Sequence, residues 1–216
     1  MTFDFARARE NMIENDVRTN DVTDRQLIAA LREVARESFV PPEQGAIAYA
    51  GLCVPLGADR YLLDARTFSK LVQAAHIAPT DRVLDVGCAT GYSSAVLARL
   101  GGEIVALESH EGLVAFAVAA LADLPNVRVI RGDLRKGAPE TAPYDVIFVE
   151  GSAEEIPAAL TDQLKDGGRL LTVLARGPGG RGRIIARVGK NLSARNLFDA
   201  TVPLLPGFAK APTFVF

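Results

Sequence analysis

Hydrophobic and polar positions along the chain follow two regimes. Up to residue 78 the apolar residues recur at helical spacing, so residues 3–17 and 23–37 read as two helices. The second has Leu27, Leu31 and Val34 as its apolar stripe and a capping box, Thr23-Asp-Arg-Gln26, at its start. Phe39-Val-Pro-Pro42 ends it, and residues 43–56, broken by Gly45, Gly51 and Pro55, read as loop. A third helix is expected over 66–77, with Phe68, Leu71, Val72 and Ala75 on one face. Beyond it, short apolar runs alternate with helical stretches. Strands are expected over 82–86, 103–108, 126–130, 144–149 and 168–174, and helices from near Tyr92, over 112–122 and over 156–164. Such alternation marks an α/β, doubly wound, mostly parallel sheet. Near the end, residues 183–188 and 197–202 have no helix between them and predict an antiparallel pair at one edge. Ahead of them, Gly177-Pro-Gly-Gly-Arg-Gly182 reads as a mobile hairpin loop. The expected division is a helical cap and connection over 1–78 and a Rossmann-like sheet domain over 79–216.

Composition narrows the function. A chain of 216 residues with 49% hydrophobic content can bury a sizeable core in one domain with an N-terminal elaboration. Lys and Arg number 24 against 26 Asp and Glu, and a net charge of −2 gives no general attraction to nucleic acid or anionic membrane. Charges in the first ten residues, and the lack of an apolar run of ~18 residues, predict no signal peptide, no span and a cytoplasmic address. Cys53 and Cys88 form no C-x-x-C pair and His76 and His110 stand apart, so reduced cysteines and no metal site are expected.

Candidate chemistry centres on Arg82-Val-Leu-Asp-Val-Gly-Cys-Ala-Thr-Gly-Tyr92, a strand that runs into a glycine turn and then a helix carrying Ala95, Val96 and Leu100. A strand's carboxyl end followed by a helix N-terminus exposes N–H groups that await an acceptor. A dinucleotide fingerprint wants G-x-G-x-x-G. Here Asp85 stands two places before Gly87, and Ala89 takes the place of a middle glycine. That run is closer to the D/E-x-G-x-G-x-G turn of S-adenosylmethionine-dependent methyltransferases, whose cofactor carries an ammonium and a sulfonium that a carboxylate can face. Ligands of open α/β sheets bind beyond the strand carboxyl ends. Asp85, Glu108 and Asp133 fall at three such ends, and Glu150 at a fourth. Glu108 lies about twenty residues past the turn, where a carboxylate can accept both ribose hydroxyls of an adenosyl group.

With those residues in place, the chain resembles the protein-L-isoaspartate O-methyltransferase family. The resemblance rests on Phe39-Val-Pro41, Ala48-Tyr49, Pro55-Leu-Gly57, the turn ending in Gly91-Tyr92, Gly132-Asp133 and Tyr144-Asp-Val-Ile-Phe-Val149. It continues through Glu154-Glu-Ile-Pro157, Gln163-Leu-Lys-Asp-Gly-Gly168 and Val202-Pro-Leu204. It implies a seven-stranded methyltransferase-type sheet and S-adenosylmethionine as cofactor, held by Asp85, Gly87, Cys88, Ala89, Gly91, Tyr92, Glu108, Ser109, Gly132, Asp133 and Glu150. The implied partner is a protein or peptide bearing a carboxylate, as in repair of isoaspartate, with no catalytic residue singled out. Family members carry a Thr-Ile-Ser-Gln-Pro-like segment where this chain has Tyr61-Leu-Leu-Asp-Ala65. Leu63 stands in the serine's place, which leaves Tyr61, Asp64 and Glu150 as acceptor-side candidates. The departure implies isoaspartyl transfer that is weakened or altered. Two alternatives remain open at this point: a methyltransferase with another acceptor, and a non-catalytic binder of S-adenosylmethionine or S-adenosylhomocysteine.

Overall fold

A computed structural model of the chain describes residues 3–177 and 179–210. The cap begins with α1 (Phe5–Met12), which runs on as a wider π turn over Ile13–Val17. Helix α2 (Arg25–Glu33) follows. The capping box falls one residue off: Asp24, not Thr23, caps α2, its Oδ1 accepting from the N–H groups of Gln26 and Leu27 at 2.9 and 3.1 Å. Thr23 and Asp24 instead give their own N–H groups to Gln73 Oε1. A side-chain acceptor at this position stabilises a helix by about 1 kcal/mol.

Helix α2 stops at Glu33, short of residue 37, and residues 36–39 turn as a 3₁₀ helix. The early stop lets Arg36 enter the interior, where its side chain donates to the backbone oxygens of Ala48 and Leu63. The expected loop over 43–56 is also more ordered than its breakers suggest. It holds a 3₁₀ stretch, Pro42–Tyr49, and the first strand of a small antiparallel hairpin, β1 (Val54–Gly57) and β2 (Arg60–Leu62). Helix α3 (Ala65–Ala75) completes the cap.

The sheet is built from β3 (Arg82–Val86), β4 (Glu103–Glu108), β5 (Val127–Arg131), β6 (Tyr144–Ala153), β7 (Leu164–Arg176), β8 (Gly179–Val188) and β9 (Asn191–Ala200). Their order is β5-β4-β3-β6-β7-β8-β9; the first five run parallel and the last two antiparallel. Helices α4 (Tyr92–Leu97), α5 (Glu111–Ala120) and α6 (Ala158–Asp162) follow β3, β4 and β6. Alternation along the strands sorts the core into two faces. Val83, Ile104, Ala106, Val146, Phe148 and Leu171 pack toward the cap. Leu84, Val86, Val105, Leu107, Ile147 and Leu170 pack toward α6, Leu205 and Phe208. The central strands are buried on both sides, which is why they read as near-continuous apolar runs.

The C-terminal edge departs from expectation in detail. Gly179 to Gly182 lie inside β8, paired with Arg176 to Val173 of β7, so the glycine-rich run is mostly strand and not a mobile loop. Two of its glycines answer to close packing: a Cβ on Gly182 would lie 2.8 Å from the Phe198 ring of β9, and one on Gly180 3.0 Å from the backbone oxygens of Leu174 and Ala200. Strand β9 also starts at residue 191, six residues before the expected 197. Its first half, Asn191 to Asn196, is exposed on both faces, and its apolar positions, Leu192 and Ala194, are too few to announce it.

Candidate active site

The carboxyl ends of β3, β4 and β6 converge where the chain leaves β3 to either side, the switch point at which open α/β sheets bind ligands. The turn after β3 is pinned to β4: Gly87 and Cys88 donate their N–H groups to Leu107 O at 2.8 and 3.2 Å. Gly91 has φ +96° at the start of α4, and a Cβ there would sit 2.8 Å from Leu121. Only glycine fits that position. Thr90 ties the turn to the cap, its hydroxyl donating to Phe39 O at 2.7 Å.

Three acids lie buried at this mouth. Asp85 is fully buried, and its Oδ2 accepts from the hydroxyls of Ser93 and Ser94 at 2.6 and 2.5 Å. Its other oxygen has no partner. Burial drives the carboxyl up to about 6; the two serine hydroxyls oppose that rise and the charge of Glu108 adds to it. Glu108, at the end of β4, is also fully buried. It accepts from the N–H groups of Ala89, Ser109 and His110 at 3.2, 2.7 and 2.9 Å. Glu150 does not end its strand, because β6 runs on to Ala153 through an irregularity between Phe148 and Ser152. Its Oε1 is buried without a partner, and burial followed by the charge of Asp85 raises it well above an ordinary carboxyl, with Arg36 opposing. Burial likewise pushes the Cys88 thiol up, leaving it a small apolar plug under the turn.

Not every candidate joins this group in the same way. Ser109, Gly132 and Asp133 line an adjoining cavity of about 610 Å³ with Leu134, Arg135 and Pro206. Tyr92 points inward: its ring meets Phe39 and Phe68 at 5.7 Å and lies under the Arg36 guanidinium at 4.8 Å, and its hydroxyl is unpartnered. Tyr61 lies in β2, half-buried. Asp64 is the N-cap of α3, its Oδ1 accepting from the Thr67 N–H at 2.8 Å. It faces a second cavity of about 790 Å³ that is also lined by Asp16, Arg66, Arg181 and Asp199. Leu63 is buried in the cap-side core.

Sequence reasoning missed three residues of the mouth. Arg36 is 1% exposed with one guanidinium nitrogen unpartnered, and nothing in the helical pattern around it distinguishes it from a surface arginine. Leu205 lies over the turn, and a Cβ on Gly87 would come within 3.0 Å of it. Its segment is held by Leu205 N donating to Ser152 O and by Ser152 N donating to Pro203 O. Arg60, from β2, reaches Glu108 in a bidentate ion pair, Nε to Oε2 and Nη2 to Oε1, both at 3.1 Å. An arginine in a short hairpin gives no sign in sequence that it will be buried.

A family model described as protein-L-isoaspartate(D-aspartate) O-methyltransferase matches residues 7–194. The chain belongs to that family. Among its relatives, the protein-L-isoaspartate O-methyltransferase of Methylorubrum populi is 39% identical over 212 residues, covering 96% of this chain and 99% of the relative. The one from Roseiflexus sp. is 35% identical over 212 residues, covering 95% of each. A solved protein-L-isoaspartate O-methyltransferase superposes with a TM-score of 0.77 at 24% identity, over 92% of this chain and 66% of that one. A candidate family structure from Plasmodium falciparum, in complex with S-adenosyl-L-homocysteine, gives 0.77 at 19%, over 94% and 99%. These two likenesses bear on the fold alone, and the fold is the methyltransferase type that the sequence predicts. The family's members span the cap as well as the sheet, since the match begins at residue 7.

Proposed function

We propose that the chain transfers a methyl group from S-adenosylmethionine to a side-chain carboxylate of a damaged, isoaspartyl-bearing protein or peptide. The observation that carries this reading is the end-to-end match to protein-L-isoaspartate O-methyltransferases, which runs through cap, glycine turn and sheet alike. The residues at the mouth suit the cofactor. Unpartnered Asp85 Oδ1 is a buried acceptor next to a turn whose glycines admit close approach, and Glu108 is a fixed carboxylate at the end of β4. Asp133 and Ser109 line a cavity of adenine-admitting size.

When bound, the cofactor supplies a methyl group on a sulfonium, already activated for displacement. The chain's own task is to hold and orient. A carboxylate acceptor is ionised near neutral pH and needs no general base, so positioning supplies the catalysis. Asp85 and Glu150 present buried carboxyl oxygens without partners, which a cationic ligand would engage, and its positive charge would favour their ionised form against the burial that raises them. Residues 1–78 serve as the cap over the mouth and 79–216 as the cofactor-binding part. Among the described residues no helix is long and apolar enough to cross a membrane, and a net charge of −2 gives no general attraction to nucleic acid or anionic membrane.

A second reading, a methyltransferase with a different acceptor, draws on Leu63 and Asp64. The first fills core and the second caps α3, so neither supplies the hydroxyl of the family's segment. Titration calorimetry with S-adenosylhomocysteine tests the cofactor assignment shared by both. Binding should be measurable, and Glu108→Ala should weaken it by about 2 kcal/mol, the scale for charge-assisted hydrogen bonds. The comparison is made on an Arg60→Met background, so that loss of the Arg60 ion pair does not offset it, and unchanged affinity there removes Glu108 from the site.

A further inference from the structure

The carboxylate assigned to the cofactor's ribose is already occupied by the chain itself. Both oxygens of Glu108 are engaged by Arg60, whose Nη2 also donates to Ser109 Oγ at 2.9 Å. The pair is buried, with side chains 4% and 0% exposed. A ribose needs those same acceptor lone pairs, so guanidinium and sugar cannot both have them.

Arg60 sits on a segment built to move. The β1–β2 hairpin is a separate two-stranded ribbon, not hydrogen-bonded into the seven-stranded sheet. Ribbons of that size are marginal on their own. Its base is anchored by Val54 and Leu62 in the core, whereas Gly57, Ala58 and Asp59 at its tip are exposed. Ala58 and Asp59 form the two-residue turn with φ of +51° and +53°. Left-handed backbone is the usual geometry of such a turn, and Asp tolerates it better than Ala. Arg60, next to the tip, ties it to the end of β4 through Glu108 and Ser109, so breaking that contact frees the tip from the sheet.

We propose that the β1–β2 hairpin is a strap over the cofactor groove, with Arg60 competing against the cofactor's ribose for Glu108, so that cofactor binding requires the strap to lift. The proposal rests on the cofactor reading above. It makes Arg60 a determinant of cofactor affinity. When Arg60 leaves, Glu108 keeps three backbone N–H donors, which hold the carboxylate in place for its next partner. The closed form lowers apparent affinity by the fraction of chains that are open, and a minor state populated at 1–10% corresponds to about a ten- to hundred-fold loss.

The test is calorimetric titration of S-adenosylhomocysteine into the wild type, Arg60→Met and Arg60→Lys. Met keeps much of the stem's bulk without the charge, and Lys keeps the charge without the bidentate fork. The expected result is affinity about ten-fold or more tighter for Arg60→Met, with Arg60→Lys between it and the wild type. On a Glu108→Gln background, where the competition is removed, the gain from Arg60→Met should vanish. Hydrogen–deuterium exchange on the wild type, which needs no variant to fold, should show faster exchange over residues 58–62 when S-adenosylhomocysteine is added. Equal or weaker binding by Arg60→Met, or unchanged exchange in the ligand-bound wild type, overturns the strap while leaving the cofactor reading intact. Absence of binding by wild type and both variants overturns the two together.

Discussion

Replacing Asp85 by Asn should change how stability depends on pH. Asp85 is fully buried and its carboxyl is pushed up to about 6 from an ordinary value of 3.8, burial being the main cause. Between those two values the unfolded chain has lost the proton while the folded chain still holds it, so stability falls as pH rises. The contribution is fully present below the unfolded value and gone above the folded one. A gap of roughly two units corresponds to about 3 kcal/mol. Asn keeps an acceptor for the hydroxyls of Ser93 and Ser94 and cannot ionise. Thermal melts of wild type and Asp85→Asn from pH 4 to pH 7 should therefore diverge, the wild type losing about 3 kcal/mol relative to the variant. For a chain of this size that is about 6–12 °C in Tm. The rise of Glu150 depends partly on the charge of Asp85, so its change in the variant adds to the divergence and does not cancel it. Parallel curves over that range would refute the reasoning, because they would mean that Asp85 titrates alike in both states.

Three further outcomes follow from packing. Leu63→Ser should destabilise by about 3 kcal/mol through the hole it leaves in the cap-side core, read as a lower urea midpoint, and should not restore a family-like hydroxyl without that loss. Asp64→Ala should cost about 1 kcal/mol by uncapping α3, seen in the same titration. Gly91→Ala should destabilise by about 1–3 kcal/mol, since it combines φ +96° with a 2.8 Å approach to Leu121; an unchanged midpoint would contradict that contact.

Periodicity is enough to read the parallel strands, because β3, β4 and β6 are buried on both faces and so appear as near-continuous apolar runs, whereas the antiparallel edge is read only in part. The glycine turn and the acids Asp85 and Glu108 were legible for a similar reason: their places follow from strand ends, which are local. The missed features are nonlocal. Arg36 and Arg60 look like surface residues until the cap folds against the sheet and buries both. Asp64, an acceptor-side candidate, also caps α3 through its Oδ1, a local role that its sequence position three residues before Thr67 permits. Gly179 to Gly182 read as loop because glycine is the commonest loop signal, whereas at Gly182 the Phe198 ring and at Gly180 the flanking strands leave little room for a side chain. The first half of β9 is exposed and offers only Leu192 and Ala194 as apolar positions, too short a signal to mark a strand.

The most direct test of the account is methyl transfer itself. Purified chain, S-adenosylmethionine labelled in the methyl group, and matched peptides carrying either an isoaspartyl or an ordinary aspartyl residue are incubated, and base-labile methyl ester is measured as volatile methanol. The account predicts ester on the isoaspartyl peptide, slowed by the missing hydroxyl at Leu63, and none on the aspartyl control. Equal labelling of both peptides, or no labelling of either by a chain that binds S-adenosylhomocysteine, would contradict it.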